Sequence, residues 1–320
     1  MKTLLLCRSE CSALLDPASI ISPLRDAFVS YSARPSERAR RVRARLGSNG
    51  TSTVLFPGMV PGIPAYTVKV HAKFPNQDPA IRGVLCLHDL ESGALLAVMD
   101  STHLTAVRTG LTGALAAHTL ANAAASHVAV IGAGVQGMQQ LRSLALLRRL
   151  QKVWVYDTNS QKSRVYAETL SSELGLAIQV ESSVALAVAE ADIILTATWA
   201  REPFLFSGMI RPGSHVTTLG ADEPGKAEVS ADILRRSLFV CDDRELAVEM
   251  GAIGGAGLGR EIVAVELGEI LGGNHPGRED AQQVTVFGGV GLAFQDAVAA
   301  WAIYQSAVGN GAGRQIDFLW

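Results

Sequence analysis

The run Val128-Ala129-Val130-Ile131-Gly132-Ala133-Gly134-Val135-Gln136-Gly137 sets three glycines in the order G-x-G-x-x-G, directly after four apolar residues and directly before a helical pattern. The chemistry such a run can do is anion binding. Gly132 permits a tight turn, Gly134 lets main chain approach a pyrophosphate, and Gly137 lets a helix pack on a strand, while the N–H groups at the helix start, around Val135 and Gln136, face the anion. Asp157 closes the next apolar run, Lys152–Asp157, twenty residues beyond Gly137. An acidic side chain there accepts hydrogen bonds from the ribose hydroxyls of an adenine dinucleotide and repels a 2′-phosphate. NAD is therefore the expected cofactor, with NADP kept open because Lys162 and Arg164 follow closely. Thr196 and Thr198 fall at the end of a later strand, at the carboxyl edge where such sheets bind ligands, and Thr198 is a candidate cofactor contact. Their alternative role is that of ordinary β-branched strand residues.

The elements that must position these groups follow two grammars. After residue 127, strand and helix alternate: Val128–Ile131, a helix through Leu150, Val153–Tyr156, a helix to Leu174, Ile178–Val180, a helix near Val184–Ala189, Ile193–Thr196 and Val216–Leu219. That pattern predicts α/β architecture, a Rossmann-type doubly wound parallel sheet. Residues 1–110 instead mix a helical pattern at Ile20, Ile21, Leu24 and Phe28 with strand-like runs at Ala65–Ala72, Gly83–His88 and Ala94–Met99. An alternating run Arg41–Leu46, a turn at Gly47–Gly50 and a β-rich run to Phe56 read as a hairpin, so this half is expected to be α+β with an antiparallel-biased sheet. The last stretch offers a strand at Val284–Phe287, a Gly-rich turn and an amphipathic helix Leu292–Val308 that returns to the first domain. The expected division is 1–117 with 293–320 for substrate binding and dimerisation, and 118–292 for the dinucleotide. Gly251–Gly259 reads as a flexible loop, with a mobile lid as the alternative.

Composition narrows the class of ligand. The 320 residues are 48% apolar and 18% charged with a formal net charge of −2, which suits an ordinary globular protein with core enough for two domains and argues against a protein built to neutralise nucleic-acid phosphates. The arginines between Glu37 and Arg45 are read as a solvated face or as an anion site for a small substrate. Cys7, Cys11, Cys86 and Cys241 fit neither a disulfide framework nor a CxxC pair, so structural thiols in a reducing interior are expected, and no metal site. Met1–Cys7 is too short for a signal-peptide core and reads as a first strand. No stretch reaches the ~18 apolar residues of a membrane span, and a cytoplasmic protein is expected.

Six ordered stretches bring a family into view: Leu55-Phe56-Pro57, Tyr66-Thr67-Val68-Lys69, Leu104-Thr105-Ala106-Val107-Arg108-Thr109, the Gly132–Gly137 loop, Leu219-Gly220-Ala221-Asp222-Glu223-Pro224-Gly225-Lys226, and Val284-Thr285-Val286-Phe287-Gly288-Gly289-Val290-Gly291. By these, over nearly its whole length, the chain resembles the ornithine cyclodeaminase/mu-crystallin family, which includes an archaeal type of alanine dehydrogenase and reductases of cyclic ketimines such as Δ1-pyrroline-2-carboxylate. The resemblance implies that Lys69, Arg108 and an arginine near the start of the hairpin hold the carboxylate and the α-nitrogen or oxo group of the substrate. Arg41 and Arg43 are both candidates for the third, since hairpin length differs among members and alternation puts both on one face. A planar guanidinium meets a carboxylate bidentately, each charge-assisted bond being worth roughly 1.5–3 kcal/mol net. Thr109 and Lys226 are further cofactor candidates, and the resemblance implies a homodimer through the β-rich first domain.

Asp222 follows the strand His215–Leu219 and precedes the tight turn Pro224-Gly225-Lys226, at the carboxyl edge of the sheet. A carboxylate there can exchange a proton with the substrate nitrogen while hydride moves at the adjacent carbon, so Asp222 is expected to be the general acid/base, with Lys69 as its catalytic companion. An Asx-turn cap is the alternative. Two departures from the family pattern matter. Ornithine cyclodeaminases place a glutamate where this chain has Val54, and an ammonium buried against valine costs several kcal/mol, so ornithine is disfavoured. Gly289 stands where relatives usually have a serine touching the cofactor, whereas Asp222 stands where mu-crystallin has serine. The reading is an NAD(P)-dependent oxidoreductase moving hydride to or from the α-carbon of a small amino or imino acid, of ketimine reductase or alanine dehydrogenase type, with a 2-oxo acid as the partner in the latter. A cyclodeaminase using NAD catalytically and a non-catalytic mu-crystallin-like binding protein are the rivals.

Overall fold

Period-two patterning governs the first of two units in a computed structural model that describes every residue except 1, 36–41, 47–50, 75, 76, 78, 319 and 320. This unit comprises residues 1–108 and 292–320. Its seven-stranded sheet has the order β15-β1-β6-β5-β4-β3-β2, with β1 Thr3–Leu6, β2 Val42–Leu46, β3 Thr51–Met59, β4 Ala65–Lys73, β5 Ile81–Asp89, β6 Leu95–Asp100 and β15 Arg314–Ile316. Every neighbouring pair is antiparallel except β1 with β6. Along β4, Ala65, Thr67, Lys69, His71 and Lys73 are buried and alternate with the more open Tyr66, Val68, Val70 and Ala72, as a strand with one covered face requires. The helix Ala293–Asn310 supplies the cover. Its Phe294 meets Phe28 of the helix Ile21–Ala33 edge-on, 4.9 Å between ring centres, and a side chain at Gly58 of β3 would collide with the main chain of Ala293. Burial of Ile20, Leu24, Phe28, Leu85, Leu87 and Met99 forms the core, each side chain contributing roughly 1.5–3 kcal/mol.

The second unit, residues 109–291, is a parallel sheet. Its order is β13-β12-β14-β11-β10-β7-β8-β9, with β7 His127–Ile131, β8 Lys152–Tyr156, β9 Ile178–Val180, β10 Ile193–Thr196, β11 His215–Thr218, β12 Leu238–Cys241, β13 Val265–Glu266 and β14 Thr285–Gly288. Successive residues of one strand join opposite cores: Ala129 and Ile131 pack with Val216, Phe239 and Val286, while Val128 and Val130 pack with Leu141, Leu144 and Tyr166. Strands apolar on both faces are what helices on both sides demand. The chain passes between the units at Arg108/Thr109 and Gly291/Leu292. The first passage lies inside one helix, Ser101–Leu120, nine residues before the expected division, and an unbroken helix carries no local signal to mark it.

Several elements escaped the sequence reading. β12 and β13 are short, and Gly251–Gly259 is neither lid nor open loop: it contains the helix Ala252–Gly255, with Ile253 fully buried. Its glycines serve close packing, since a Cβ at Gly254 would strike the carbonyl of Val248 and one at Gly255 the carbonyl of Lys226. At the C-terminal end of Ser101–Leu120 the Arg148 guanidinium donates to the carbonyls of His118, Ala121, Asn122 and Ala125, and Arg278 donates to that of Leu120. Among the described residues no helix is long and apolar enough to cross a membrane.

Two buried titratable groups of the second unit oppose each other with pH. Asp242 accepts the N–H groups of Val290 at 2.9 Å and Gly291 at 2.7 Å; burial pushes its carboxyl up to about 7. His215 lies between Thr285 Oγ1 and Thr217 Oγ1, and burial, with Arg278 and Arg148 nearby, brings it down to about 3. For Asp242 the folded value exceeds the unfolded one, so its contribution is present below pH ~4 and lost as pH rises to ~7; for His215 the order is reversed and stability is lost as pH falls from ~6.5 toward ~3. Asp242→Asn should therefore lose ground to wild type as pH falls. The gap between their urea midpoints is expected to be wider at pH ~4.5 than at pH ~7.5; a constant gap would refute the assignment.

Candidate active site

The nucleotide loop is built by its glycines. Gly132 adopts φ +105°, a conformation open to glycine, and a Cβ at Gly137 would strike the carbonyl of Gly132. At Gly134, by contrast, an added Cβ would meet nothing within 4 Å, and this residue caps the helix Val135–Leu147 without any side-chain hydrogen bond. The helix thus begins with main-chain N–H groups at an open surface, where Gly134 and Val135 are exposed. Asp157 sits at the end of β8, its Oδ2 accepting from Ala133 N at 2.9 Å and its Oδ1 from Asn159 N at 2.8 Å. Open backbone, uncapped helix start and adjoining carboxylate fit the pyrophosphate and ribose of a dinucleotide.

At the same carboxyl edge a residue absent from the sequence reading gathers the strand ends. Glu228 is buried; its Oε2 accepts from Thr196 Oγ1 at 2.7 Å, Thr218 Oγ1 at 2.7 Å and Gly220 N at 2.8 Å, and its Oε1 from Thr198 N and Thr198 Oγ1, both at 2.7 Å. The Thr198 hydroxyl, which also accepts from Ala200 N, is thereby engaged within the protein. Asp222 is half-buried, and Lys226 Nζ donates to its Oδ1 at 2.9 Å while lying 4.2 Å from the centre of the Trp199 ring. Lys226, expected beside cofactor, is buried and holds Asp222. Gln136 and Thr109 are half-buried on their helices. Gly289 is backed by Leu219 and Phe287, so a serine there would have to displace one of them.

In the first unit, Lys69 of β4 and Arg108 of the helix Ser101–Leu120 converge on one carboxylate. Asp296 Oδ2 lies 2.6 Å from Lys69 Nζ and Asp296 Oδ1 2.9 Å from Arg108 Nε; Arg108 Nη1 also donates to Gln295 Oε1, and Lys69 Nζ to Thr105 Oγ1 at 3.4 Å. All three charged groups are buried. Burial pushes the Asp296 carboxyl up, but the Arg108 and Lys69 charges prevail and its pKa is lowered. His71, the next inward position of β4, is brought down to about 3, by burial first and then by Lys69, Lys73 and Arg108. The trio of two cations and one anion carries a net positive charge. Arg41 lies outside the described residues; Arg43 occupies β2 opposite Val54 of β3, which in turn pairs with His71.

Comparison with known proteins places the chain among enzymes. The model of the ornithine cyclodeaminase/mu-crystallin family matches residues 1–311. An alanine dehydrogenase of Archaeoglobus fulgidus is 29% identical over 325 residues, covering 100% of this chain and 99% of the relative. A Thermococcus litoralis Δ1-pyrroline-2-carboxylate reductase in complex with NADH and L-proline superposes with a TM-score of 0.93 at 29% identity, covering 98% of this chain and 100% of the other. An archaeal alanine dehydrogenase dimer with bound NAD does so with a TM-score of 0.92 at 28% identity, covering 99% and 100%.

The Asp296 trio sets a measurable expectation. Removing one partner of a buried ion cluster strands the others, at a cost of about 3–5 kcal/mol. Asp296→Asn is expected to lose that much unfolding free energy in urea while still binding NADH through the second unit; an unchanged midpoint would show that the trio does not bear on stability.

Proposed function

The chain belongs to the ornithine cyclodeaminase/mu-crystallin family, and from that premise we propose that it is an NAD-dependent oxidoreductase passing hydride between the nicotinamide and the α-carbon of a small amino or cyclic imino acid. The observation that carries this reading is the Gly134 main chain, open where a side chain would stand, at an uncapped helix start beside Asp157. Bound nicotinamide supplies or accepts the hydride. The N–H groups from Val135 onward hold the pyrophosphate and Asp157 the ribose hydroxyls. In the first unit Lys69 and Arg108 take the carboxylate and the α-nitrogen or oxo oxygen, with Arg41 or Arg43 as the third cation. In the second unit Asp222 exchanges the proton with the substrate nitrogen, oriented by Lys226. Val54 brings no carboxylate for a distal ammonium, which favours monoamino or cyclic imino substrates over ornithine.

A panel of small 2-oxo acids with ammonia, and of cyclic imines such as Δ1-pyrroline-2-carboxylate, followed by loss of reduced-nicotinamide absorbance, tests the reading. Turnover with NADH exceeding that with NADPH is expected, and Asp222→Asn should lower kcat by about 10²–10⁴. No oxidation with any member, or ammonia released from ornithine without net change in NADH, would overturn it.

A homodimer through the first unit is part of the proposal. Val42, Leu55, Val70 and Val84 stand opposite one another across β2, β3, β4 and β5, and all four are exposed; Pro57, Val68, Cys86 and Val98 form the neighbouring row. An apolar sheet face of this extent calls for a partner, and the archaeal alanine dehydrogenase is a dimer. The four free thiols accord with a reducing, cytoplasmic setting. Sedimentation is expected to show a dimer that Val70→Asp with Val84→Asp converts to monomer; a monomeric wild type would refute this.

A further inference from the structure

Between Gly220 and Glu228 the chain leaves the sheet edge and returns, and Asp222 rides on that excursion. Its base is closed by the hydrogen bond from Gly220 N to Glu228 Oε2, at 2.8 Å. The same carboxylate holds Thr196 and Thr198 at the end of β10 and Thr218 at the end of β11, while the Glu228 carbonyl accepts the N–H groups of Phe204 and Leu205. Close approach is built in: a Cβ at Gly220 would collide with Glu228 Oε1. Within the excursion, Asp222 N donates to Gly220 O at 3.0 Å, Lys226 holds the Asp222 carboxylate, Lys226 lies over Trp199, and Gly255 backs the Lys226 carbonyl.

We propose that Glu228 is the residue that positions Asp222 for proton transfer. Five donors converging on two oxygens specify a single arrangement, and that arrangement relates the closed 220–228 segment to the two strand ends. An apolar side chain of similar volume would fill the same space but leave all five donors without an acceptor; a charged acceptor with both oxygens engaged registers the loop against two strands at once. Both Glu228 oxygens are engaged by protein donors, so it acts through Asp222 as a positioning residue, and the inference rests on the reading of Asp222 as acid/base given above.

Glu228→Gln, Asp222→Asn and the double variant, measured in the full-length protein with the substrate that wild type turns over, form a double-mutant cycle. Active sites are counted by NADH fluorescence titration, and the emission of Trp199, isolated by subtracting a Trp199→Phe background, reports the loop without substrate. In Glu228→Gln, kcat per NADH-binding site is expected to fall at least about tenfold, with KM for NADH within about threefold, and Trp199 emission to change; the double variant should stay within about threefold of Asp222→Asn. If Glu228→Gln leaves kcat per site and Trp199 emission as in wild type, or if the two losses multiply, the proposal is wrong. If Asp222→Asn itself turns over like wild type, the acid/base reading falls instead, and an unchanged Trp199 emission in Glu228→Gln separately decides against Glu228. Should Glu228→Gln not fold, Thr218→Val and Gly220→Ala perturb the same carboxylate; a smaller loss of kcat per site with unaltered KM supports the proposal, and no loss in either overturns it.

Discussion

One carboxylate shared by two cations, buried where water cannot screen it, is the constraint around which the first unit is arranged. Lys69 comes from the middle of an antiparallel strand, Arg108 from the helix that follows the sheet, and Asp296 from a helix nearly two hundred residues further along. None of the three could be buried alone, because an isolated charge in a low-dielectric interior costs several kcal/mol. The C-terminal helix therefore has to come back to the sheet, and its register is set: Phe294 enters against Phe28, Gly58 leaves room for the main chain at Ala293, and Asp296 then stands over Lys69. The two cations are thereby held in one orientation by an internal anion, so the entropy of ordering two long side chains is met on folding.

The second unit solves a related problem with the charge reversed in role. There the groups needing satisfaction are hydroxyls and main-chain N–H groups at the carboxyl ends of β10 and β11, and the buried side chain that answers them is an acceptor, Glu228. Asp242 does the same at the end of β12 for the N–H groups of Val290 and Gly291. Each acidic residue closes a place where the chain leaves the sheet, so the carboxyl edge is held by buried acceptors. This leaves the helix start at Gly134 as a stretch whose donors point outward.

Much of this was legible in the residues, and the parts that were not share a cause. Apolar runs with turn signals between them marked the strands of both units, because burial on one face or two imposes the period directly. The G-x-G-x-x-G run and Asp157 were readable because their spacing is local to one βαβ unit. Asp296 and Glu228 were not, since a buried carboxylate looks in sequence like any surface acid, and what distinguishes it is a partner set assembled from distant segments. For Glu228 a faint signal existed: Thr196, Thr198 and Thr218 end neighbouring strands with hydroxyls that need an acceptor. Gly251–Gly259 misled for the opposite reason, its glycines marking close backbone packing under Lys226 and Val248 where they suggest a loose connection.

The arginine fork at the end of the Ser101–Leu120 helix has a consequence for the whole rod. Arg148 collects carbonyls of the last turn and of the residues just beyond it, and Arg278 takes another. Those oxygens are the negative pole of the summed peptide dipoles, and a guanidinium planted among them cancels it at its source. Carbonyls that the helix itself leaves without a partner are thus satisfied, which opposes fraying of the terminal turn. Lysine could supply the charge but not the flat, many-pronged geometry, so this joint is specific to arginine in a way that charge alone would not disclose.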